Sequence, residues 1–557
     1  MKISVTFLLM LGALPVAAQT AHPSSTGLAA TAKDERLGTV SFPVTCASSS
    51  QAPFNRGVAL LHDFWYEEAR SQFDRLAKSD PDCAMAHWGV AMSVFHQIWG
   101  RPDADDMRLG WAEMQKAQAL ISGAAGTAIA ERERAYIAAL AGFYRPGAGE
   151  FPARVAAYSA AMDRLFAQYP GDVDAGAFYA LSLLAARGPD DTSLSAERQA
   201  MAVLAPFFAK YPDHPGVVHY IIHSCDNPRM APDGLAAADH YGEIAQSGPH
   251  AFHMPGHIYA RLGLWPQDIA SQLGSIAASQ AAEARGESGI MDEPHSYDFL
   301  LYAYLQSGQD ARAKAVLDQI SAPLTTIASM PGMGSAYMDG MVPYYRMKLP
   351  IFYALEMRNW ESAAAMEPVA GSPPEVSTLV YWARALAHGR LRQPEQARAD
   401  LARYDELMAE LRKGKDAYKA EGTGAKIDRG EMLAWIAFAE GKRDEALKNM
   451  GTAADLQDKV GQAEVDIPAR EMYADMLLEF GQPDRALAEY AVALKLSPNR
   501  LNGLYNAGRA AEAAGDKPKA ASYYTALLKS TGNGENSTRP ELAHARSFVS
   551  STERASN

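Results

Sequence analysis

REMYADMLLEFGQPDRALAEYAVALKLSPN (470–499) is followed by LNGLYNAGRAAEAAGDKPKAASYYTALLKS (501–530), and the two stretches share one pattern. In each, apolar residues at helical spacing lie on both sides of a Gly turn, which predicts a helical hairpin. A hairpin of this size cannot bury its apolar face alone, so neighbouring hairpins must stack. Four pairs of equivalent positions are 34 residues apart: Ala474 and Gly508, Gly481 and Gly515, Ala486 and Ala520, Tyr490 and Tyr524.

The same pattern returns through most of residues 51–530. FNRGVALLHDFWYEEARSQFDRLAKSDPD (54–82) has Gly57, Ala69, Phe73 and Pro81 at the corresponding positions. Weaker copies occupy residues 84–96, 174–186, 378–404 and 430–450, and β-branched alternation is scarce. We therefore predict an all-α fold, a right-handed α-solenoid of nine or more stacked hairpins.

These positions resemble the tetratricopeptide repeat family. The shared features are a small residue in the first helix, Gly at the turn, Ala and an aromatic residue in the second helix, and a closing Pro such as Pro498. The chain also resembles exported bacterial proteins of this type that have a His-rich central repeat region. The resemblance implies a binding scaffold whose first helices line a concave groove, with a polypeptide or a small ligand as the partner.

The chain divides into segments of different character. Ile3–Val16 is an apolar run after Lys2, too short to span a membrane, and Val16-Ala17-Ala18 offers a cleavage site, so we predict a signal peptide and a periplasmic or secreted protein. The predicted segments are a signal peptide (1–18), a linker (19–50), an N-terminal array with a His-rich groove (51–320), an irregular Met-rich insertion and helices (321–376), a C-terminal array (377–530) and a polar tail (531–557). Within the Met-rich segment, residues 321–350 favour a long loop.

Charge and motifs exclude several classes of function. The 557 residues carry a net charge of −13 without a basic block, which argues against nucleic acid as a partner. After the signal peptide, the sequence has no apolar run long enough to cross a membrane. No phosphate-binding Gly-rich loop is present, so we expect no nucleotide cofactor. With three Cys in an oxidising compartment, a Cys46–Cys83 disulfide is one option.

Histidines concentrate in one part of the chain. Residues 214–295 hold eight of the 14 His: His214, His219, His223, His240, His250, His253, His257 and His295. His219 and His223 are four residues apart, as are His253 and His257, so each pair can share one helix face. The second pair follows the first by 34 residues, the repeat period. We therefore predict a divalent metal, zinc above all, bound by His219, His223, His253 and His257.

Additional residues join the predicted site by alignment of the repeats. Aligning Gly308 with Gly263 places His295 opposite His250 and Asp298 opposite His253, and Asp226 lies three residues after His223. By the resemblance, these residues face the groove and are possible further ligands. Pro255 disfavours a continuous helix through His253 and His257, which leaves open a square of four His or an inward-aimed His253.

Other readings of the cluster stay open. The imidazoles could recognise a carboxylate or a polypeptide, or pack as a family-specific motif. A metal-dependent hydrolase is the alternative function, with Glu293 or Asp298 as general base and Arg261 holding an anionic group. A periplasmic zinc or copper carrier is the third. Copper would suit the Met residues of the irregular segment, Met330, Met333, Met338, Met341 and Met347.

Overall fold

Paired α-helices make up the protein. The computed structural model describes residues 35–98, 101–123, 128–188, 191–330, 336–414, 417–534 and 537–556. Across these ranges the chain forms α-helices and three short 3-10 helices, and no β-strand occurs in them. The predicted all-α solenoid is confirmed. The predicted signal peptide lies outside the described residues.

The helices follow one another in antiparallel hairpins. The first sixteen are α1 (Gln51–His62), α2 (Tyr66–Ser79), α3 (Ala84–Met92), α4 (Ala104–Gly123), α5 (Ala128–Tyr144), α6 (Phe151–Gln168), α7 (Val173–Ala185), α8 (Ser195–Lys210), α9 (Pro215–Cys225), α10 (Ala231–Ile244), α11 (Pro249–His253), α12 (Pro255–Leu262), α13 (Trp265–Ala284), α14 (Glu293–Gln306), α15 (Asp310–Gln319) and α16 (Ser321–Ser329). The others are α17 (Ala336–Glu356), α18 (Trp360–Ala364), α19 (Pro374–Arg390), α20 (Pro394–Leu411), α21 (Ala417–Glu421), α22 (Thr423–Ala439), α23 (Arg443–Val460), α24 (Ala469–Glu479), α25 (Pro483–Leu496), α26 (Leu501–Ala513), α27 (Lys517–Ser530) and α28 (Pro540–Ser556).

A repeated Gly follows the first helix of several hairpins. Gly481 and Gly515 have φ of +71° and +79°, a left-handed conformation that Gly adopts without steric cost. At Gly481 the next amide, of Gln482, donates to the Leu477 carbonyl at 3.0 Å, which satisfies an open carbonyl of α24. The sequence predicted both turns.

The repeated small residue lets the two helices of a hairpin approach. A Cβ added to Gly57 in α1 would lie 2.6 Å from a ring carbon of Phe73 in α2. Phe73 is fully buried and cannot withdraw into solvent. The pairing of a small residue with an aromatic one therefore sets how closely the hairpin packs.

We expect Gly57→Ala to lower the free energy of unfolding by about 1–3 kcal/mol, because the new methyl group overpacks the hairpin against Phe73. Gly142→Ala is the matched control: this exposed helical Gly has no described atom within 4 Å of an added Cβ. The control should gain up to about 1 kcal/mol from helix propensity. Urea denaturation of both variants measures their free energies of unfolding. If the two values change in the same direction, the proposed overpacking at Gly57 is wrong.

Three predicted irregular segments pack as ordered structure. Phe42, in the linker range, is fully buried, with its ring 5.0 Å from that of Tyr136. Residues 336–356 form helix α17 rather than the loop that the sequence favours, because apolar side chains such as Ile351 are buried. The polar-tail range contains α28, whose Leu542 is buried and covers the end of the array.

Distant repeats contact one another. Trp265 Nε1 donates to the Asn499 carbonyl at 2.9 Å, and Tyr302 Oη donates to the Asp466 carbonyl at 2.9 Å. At the other end, Tyr241 Oη donates to Asp63 Oδ1 at 2.8 Å. The central repeats are therefore covered from both sides by other parts of the same chain. None of the helices in the described ranges has the length and apolar character needed to cross a membrane.

Candidate metal centre

Six histidines form two neighbouring triads. The first triad is His219, His223 and His250, from α9 and α11, and the second triad is His253, His257 and His295, from α11, α12 and α14. Within each triad, one ligand nitrogen from every ring lies within 4.8 Å of the others. The four predicted ligands are thus brought close but divided between two groups, and His250 and His295 complete them.

The first triad is packed around a ring from the first hairpin. The His219 ring centroid is 4.7 Å from that of His223 and 5.1 Å from that of His250. Phe64, between α1 and α2, places its ring 4.4 Å from His219. His219 is 0% exposed and His250 is 3% exposed. These two rings are therefore buried in the fold, whereas the resemblance implied that they line an open groove.

Two Nε2 atoms of the first triad are open for coordination. His219 Nδ1 donates to the His62 carbonyl at 2.5 Å, which leaves the Nε2 lone pair directed away from that contact. The buried Nε2 atoms of His219 and His223 have no hydrogen-bond partner among the residues that the structure describes. Burial lowers the pKa of His219 to about 3, so its imidazole is neutral, the form that binds a metal.

The second triad is held by polar groups behind its rings. His253 Nδ1 donates to Gln272 Oε1 at 2.5 Å, and His257 Nδ1 donates to Asp226 Oδ2 and Glu464 Oε1, both at 3.0 Å. Metal-binding His residues usually donate the second ring N–H to a carbonyl or carboxylate in this way. The Nε2 atoms of His253 and His257 face each other at 2.9 Å.

The contact between those two Nε2 atoms needs a positive charge. Burial alone would lower the pKa of His257, but the Asp226 and Glu464 carboxylates outweigh it and raise that pKa to about 10. A proton on His257 Nε2 can then be donated to His253. A metal ion would satisfy the same pair of lone pairs after a small separation of the two rings, because tetrahedral ligands at about 2.0–2.1 Å from one zinc ion lie about 3.3–3.4 Å apart.

Pro255 accounts for the direction of the rings. It separates α11 from α12 because it has no amide proton to continue the helix, so the predicted interruption occurs at Met254. His250 and His253 lie in the short α11, three residues apart. Their ring centroids are 6.1 Å apart, and they join the two triads into one continuous set of imidazoles.

The other predicted residues occupy different places. Asp226 and Arg261 lie at the edge of the second triad, where Arg261 Nε donates to Asp226 Oδ1 at 3.0 Å. Asp298 is paired with Lys348, and Glu293 accepts a hydrogen bond from Ser279 at 3.0 Å. Among the described residues, neither belongs to a metal-capable group with the imidazoles. Both carboxylates are therefore engaged elsewhere.

The sulfur-containing candidates also lie apart from the triads. Met341 and Met347 are buried in apolar clusters, and Met330 is exposed. Met333 lies outside the described residues, and the side chain of Met338 is likewise not described. Cys46 and Cys83 form a disulfide with Cα atoms 4.6 Å apart.

A buried carboxyl group supports the second triad through Gln272. Gln272 Nε2 donates to Asp268 Oδ1 at 2.8 Å, and the other end of the same amide holds His253. Burial raises the pKa of Asp268 to about 8, although the hydrogen bond from Gln272 acts in the opposite direction. The folded protein therefore keeps a proton on Asp268 at pH values where the unfolded chain, with a pKa of about 3.9, has lost it.

We expect the free energy of unfolding to fall as the pH rises from about 4 to 8, by up to about 1.4 kcal/mol per pH unit from Asp268 alone. Asp268→Asn removes this ionisation, so its profile should be flatter over the same range. Urea denaturation at a series of pH values, with EDTA present to exclude metal effects, measures the difference. Parallel profiles for the two proteins would rule out this role for Asp268.

Sequence reasoning missed three residues of the centre: Phe64, Gln272 and Glu464. Glu464 lies in the segment between α23 and α24 and is 207 residues from His257. No spacing rule connects residues that meet only when distant repeats touch. Gln272 offered a weak signal, since it lies two helices after His253, on the buried face of α13.

Parts of the chain match a known family of repeats. The family described as Tetratricopeptide repeat matches residues 66–105, 431–500 and 472–535. Similar solved structures include the human IFIT1 dimer with m7Gppp-AAAA (11% identity, 80% of this chain and 90% of that chain, TM-score 0.34). Others are the P58(IPK) TPR domain (11%, 92% and 99%, TM-score 0.22) and yeast Tom70 (11%, 91% and 96%, TM-score 0.33). The comparison with curated proteins found no match.

Proposed function

We propose that this chain, which is a tetratricopeptide repeat protein, is an exported binding scaffold that holds a divalent metal in its histidine triads. The observation that carries the proposal is the common orientation of the imidazoles. His219, His253 and His257 each donate Nδ1–H to a group behind the ring. One nitrogen of every ring in a triad lies within 4.8 Å of the others, and the Nε2 atoms of His253 and His257 are 2.9 Å apart. Packing alone does not require buried imidazoles to point their lone pairs together.

The donor set favours zinc. Every inner donor of the two triads is an imidazole nitrogen, which suits Zn²⁺ and Cu²⁺ and does not suit Mg²⁺ or Ca²⁺. Of the Met residues that would have favoured copper, Met341 and Met347 are buried in apolar clusters and Met330 is exposed. Zinc at physiological availability is therefore the ion that we propose.

Binding, rather than hydrolysis or transport, agrees best with the surroundings. A hydrolase needs a free general base beside the metal, but Asp298 pairs with Lys348 and Glu293 accepts from Ser279. A carrier must release its ion readily, whereas His219 and His253 are 0% and 1% exposed. We propose that the outer helix surfaces bind a polypeptide or a small ligand, while the metal fixes the central repeats.

Two features support export. The sequence before residue 19 has the pattern of a signal peptide. The Cys46–Cys83 disulfide is typical of proteins that fold in an oxidising compartment. We propose the periplasm or the extracellular space as the location.

Metal analysis tests this function. We expect the purified protein, stripped with EDTA and reloaded with Zn²⁺, to retain stoichiometric zinc after gel filtration. His219→Ala/His257→Ala removes one ligand from each triad and should lose most of that zinc. His240→Ala is the control, because His240 lies on α10 outside the triads and its Nε2 donates to Asp213 Oδ1.

Zinc should also raise the thermal midpoint of the wild type, by an amount that corresponds to about 2.7 kcal/mol at a free concentration of 100 Kd. The double variant should show no such rise. If wild-type protein holds no stoichiometric zinc or copper after loading, metal binding is excluded and the repeat scaffold alone is left.

A further inference from the structure

We propose that the two triads bind two separate metal ions, so that the protein contains a dinuclear centre with three imidazoles to each ion. This inference rests on the proposed metal binding and extends it. The first evidence is the division of the ligands. Within the described residues, each triad is a group whose ligand atoms are mutually close, and no group combines residues of both triads.

One ion cannot serve both triads without rearrangement. Two nitrogens bound to one zinc ion at about 2.0–2.1 Å are at most about 4.2 Å apart. Among the described residues, no group that combines imidazoles of both triads has all its ligand atoms within 4.8 Å of one another. Within a triad the ligand atoms already lie within 4.8 Å, so small side-chain rotations bring three nitrogens to a single ion.

The short helix α11 explains how one segment supplies both ions. His250 and His253 are three residues apart on it, and their rings diverge, one into each triad. The partner rings come from separate helices: α9 supplies the first triad, whereas α12 and α14 supply the second. Each ion would thus tie α11 to a different neighbour.

The two sites differ in charge. In the second triad, two carboxylates, Asp226 and Glu464, accept from His257 Nδ1 at 3.0 Å. Arg261 pairs with both, so one net negative charge is left behind this ring. In the first triad, His219 Nδ1 donates to an uncharged carbonyl. Carboxylates behind a ligand make the imidazole more basic and offset part of the ion's charge, so the second triad should bind a dication more tightly.

A titration of the EDTA-stripped full chain tests this assignment. We expect Co²⁺ absorbance and Zn²⁺ calorimetry to show two binding steps with an end point of two ions per chain. His219→Ala/His223→Ala should keep only the tighter step, and His253→Ala/His295→Ala should keep only the weaker one. His240→Ala should keep both steps.

The outcomes separate this inference from the proposed function. Suppose that the wild type binds one ion and that each folded pair variant binds none. The two triads then share a single ion, which rejects the dinuclear centre but not metal binding. An end point of zero rejects both. Loss of both ions from each pair variant, with wild-type circular dichroism retained, rejects independent triads. If a variant does not fold, the number of ions bound by the wild type is the test: two ions support the dinuclear centre, and one ion rejects it.

Discussion

Arg500→Ala is expected to lower the free energy of unfolding by about 3–5 kcal/mol. Arg500 is 1% exposed, and its guanidinium donates to Glu356 Oε1 and to Glu471 Oε2, both at 2.8 Å. It also contacts Tyr302 and donates to the Asp466 carbonyl at 3.0 Å. Without the guanidinium, two buried carboxylates have no cation, and their desolvation is no longer offset.

Urea denaturation measures this loss of stability. Two controls show whether the loss comes from the buried charges. Arg403→Ala removes an exposed ion pair with Glu406 and should cost at most about 1 kcal/mol. Arg500→Met combined with Glu356→Gln and Glu471→Gln removes all three charges and should recover part of the stability. If Arg500→Ala unfolds at the same urea concentration as Arg403→Ala, the buried network does not connect the repeats as we describe.

Loss of the Cys46–Cys83 disulfide has the second large expected effect. The bond closes a loop with a sequence separation of 37 residues, and cross-linking such a loop lowers the entropy of the unfolded chain by an amount worth about 4 kcal/mol. Cys46→Ser/Cys83→Ser should therefore unfold at a lower urea concentration by a corresponding amount. The bond also holds residues 36–50 against the start of α3.

Reduction provides an independent check on the same bond. Dithiothreitol should destabilise the wild type and leave the Cys46→Ser/Cys83→Ser variant unaffected. Cys225→Ala is the control for a buried free thiol, and it should remain sensitive to dithiothreitol. A double variant as stable as the wild type would show that other contacts of the segment, such as the buried Phe42, are enough to hold it.

The hairpins were predictable because their determinants are local. Gly481 and Gly515 each follow a first helix and adopt a left-handed conformation, and a small residue opposite an aromatic one repeats in register. Helix α17 was not predictable from such signals. Pro343 and Pro350 lie inside it, and its helical state depends on burial against other hairpins, which a local pattern does not report.

The candidate site was predictable in part for the same reason. The spacing of four residues predicted the closeness of His219 to His223 and of His253 to His257, and the ring centroids are 4.7 and 4.8 Å apart. The repeat period did not predict that these pairs would join different triads. That division follows from the break at Pro255, which redirects α11, and from tertiary contacts that bring Glu464 to the site.

Contacts across the array limit how its length can evolve. In an open solenoid each hairpin touches only its neighbours, so a unit can be duplicated or deleted at little cost. Here Glu464 contacts His257 over a separation of 207 residues, and Asn499 contacts Trp265 over 234. Duplication of a single hairpin between these partners would move both contacts out of register at once, so we expect the copy number of this array to be fixed among its descendants.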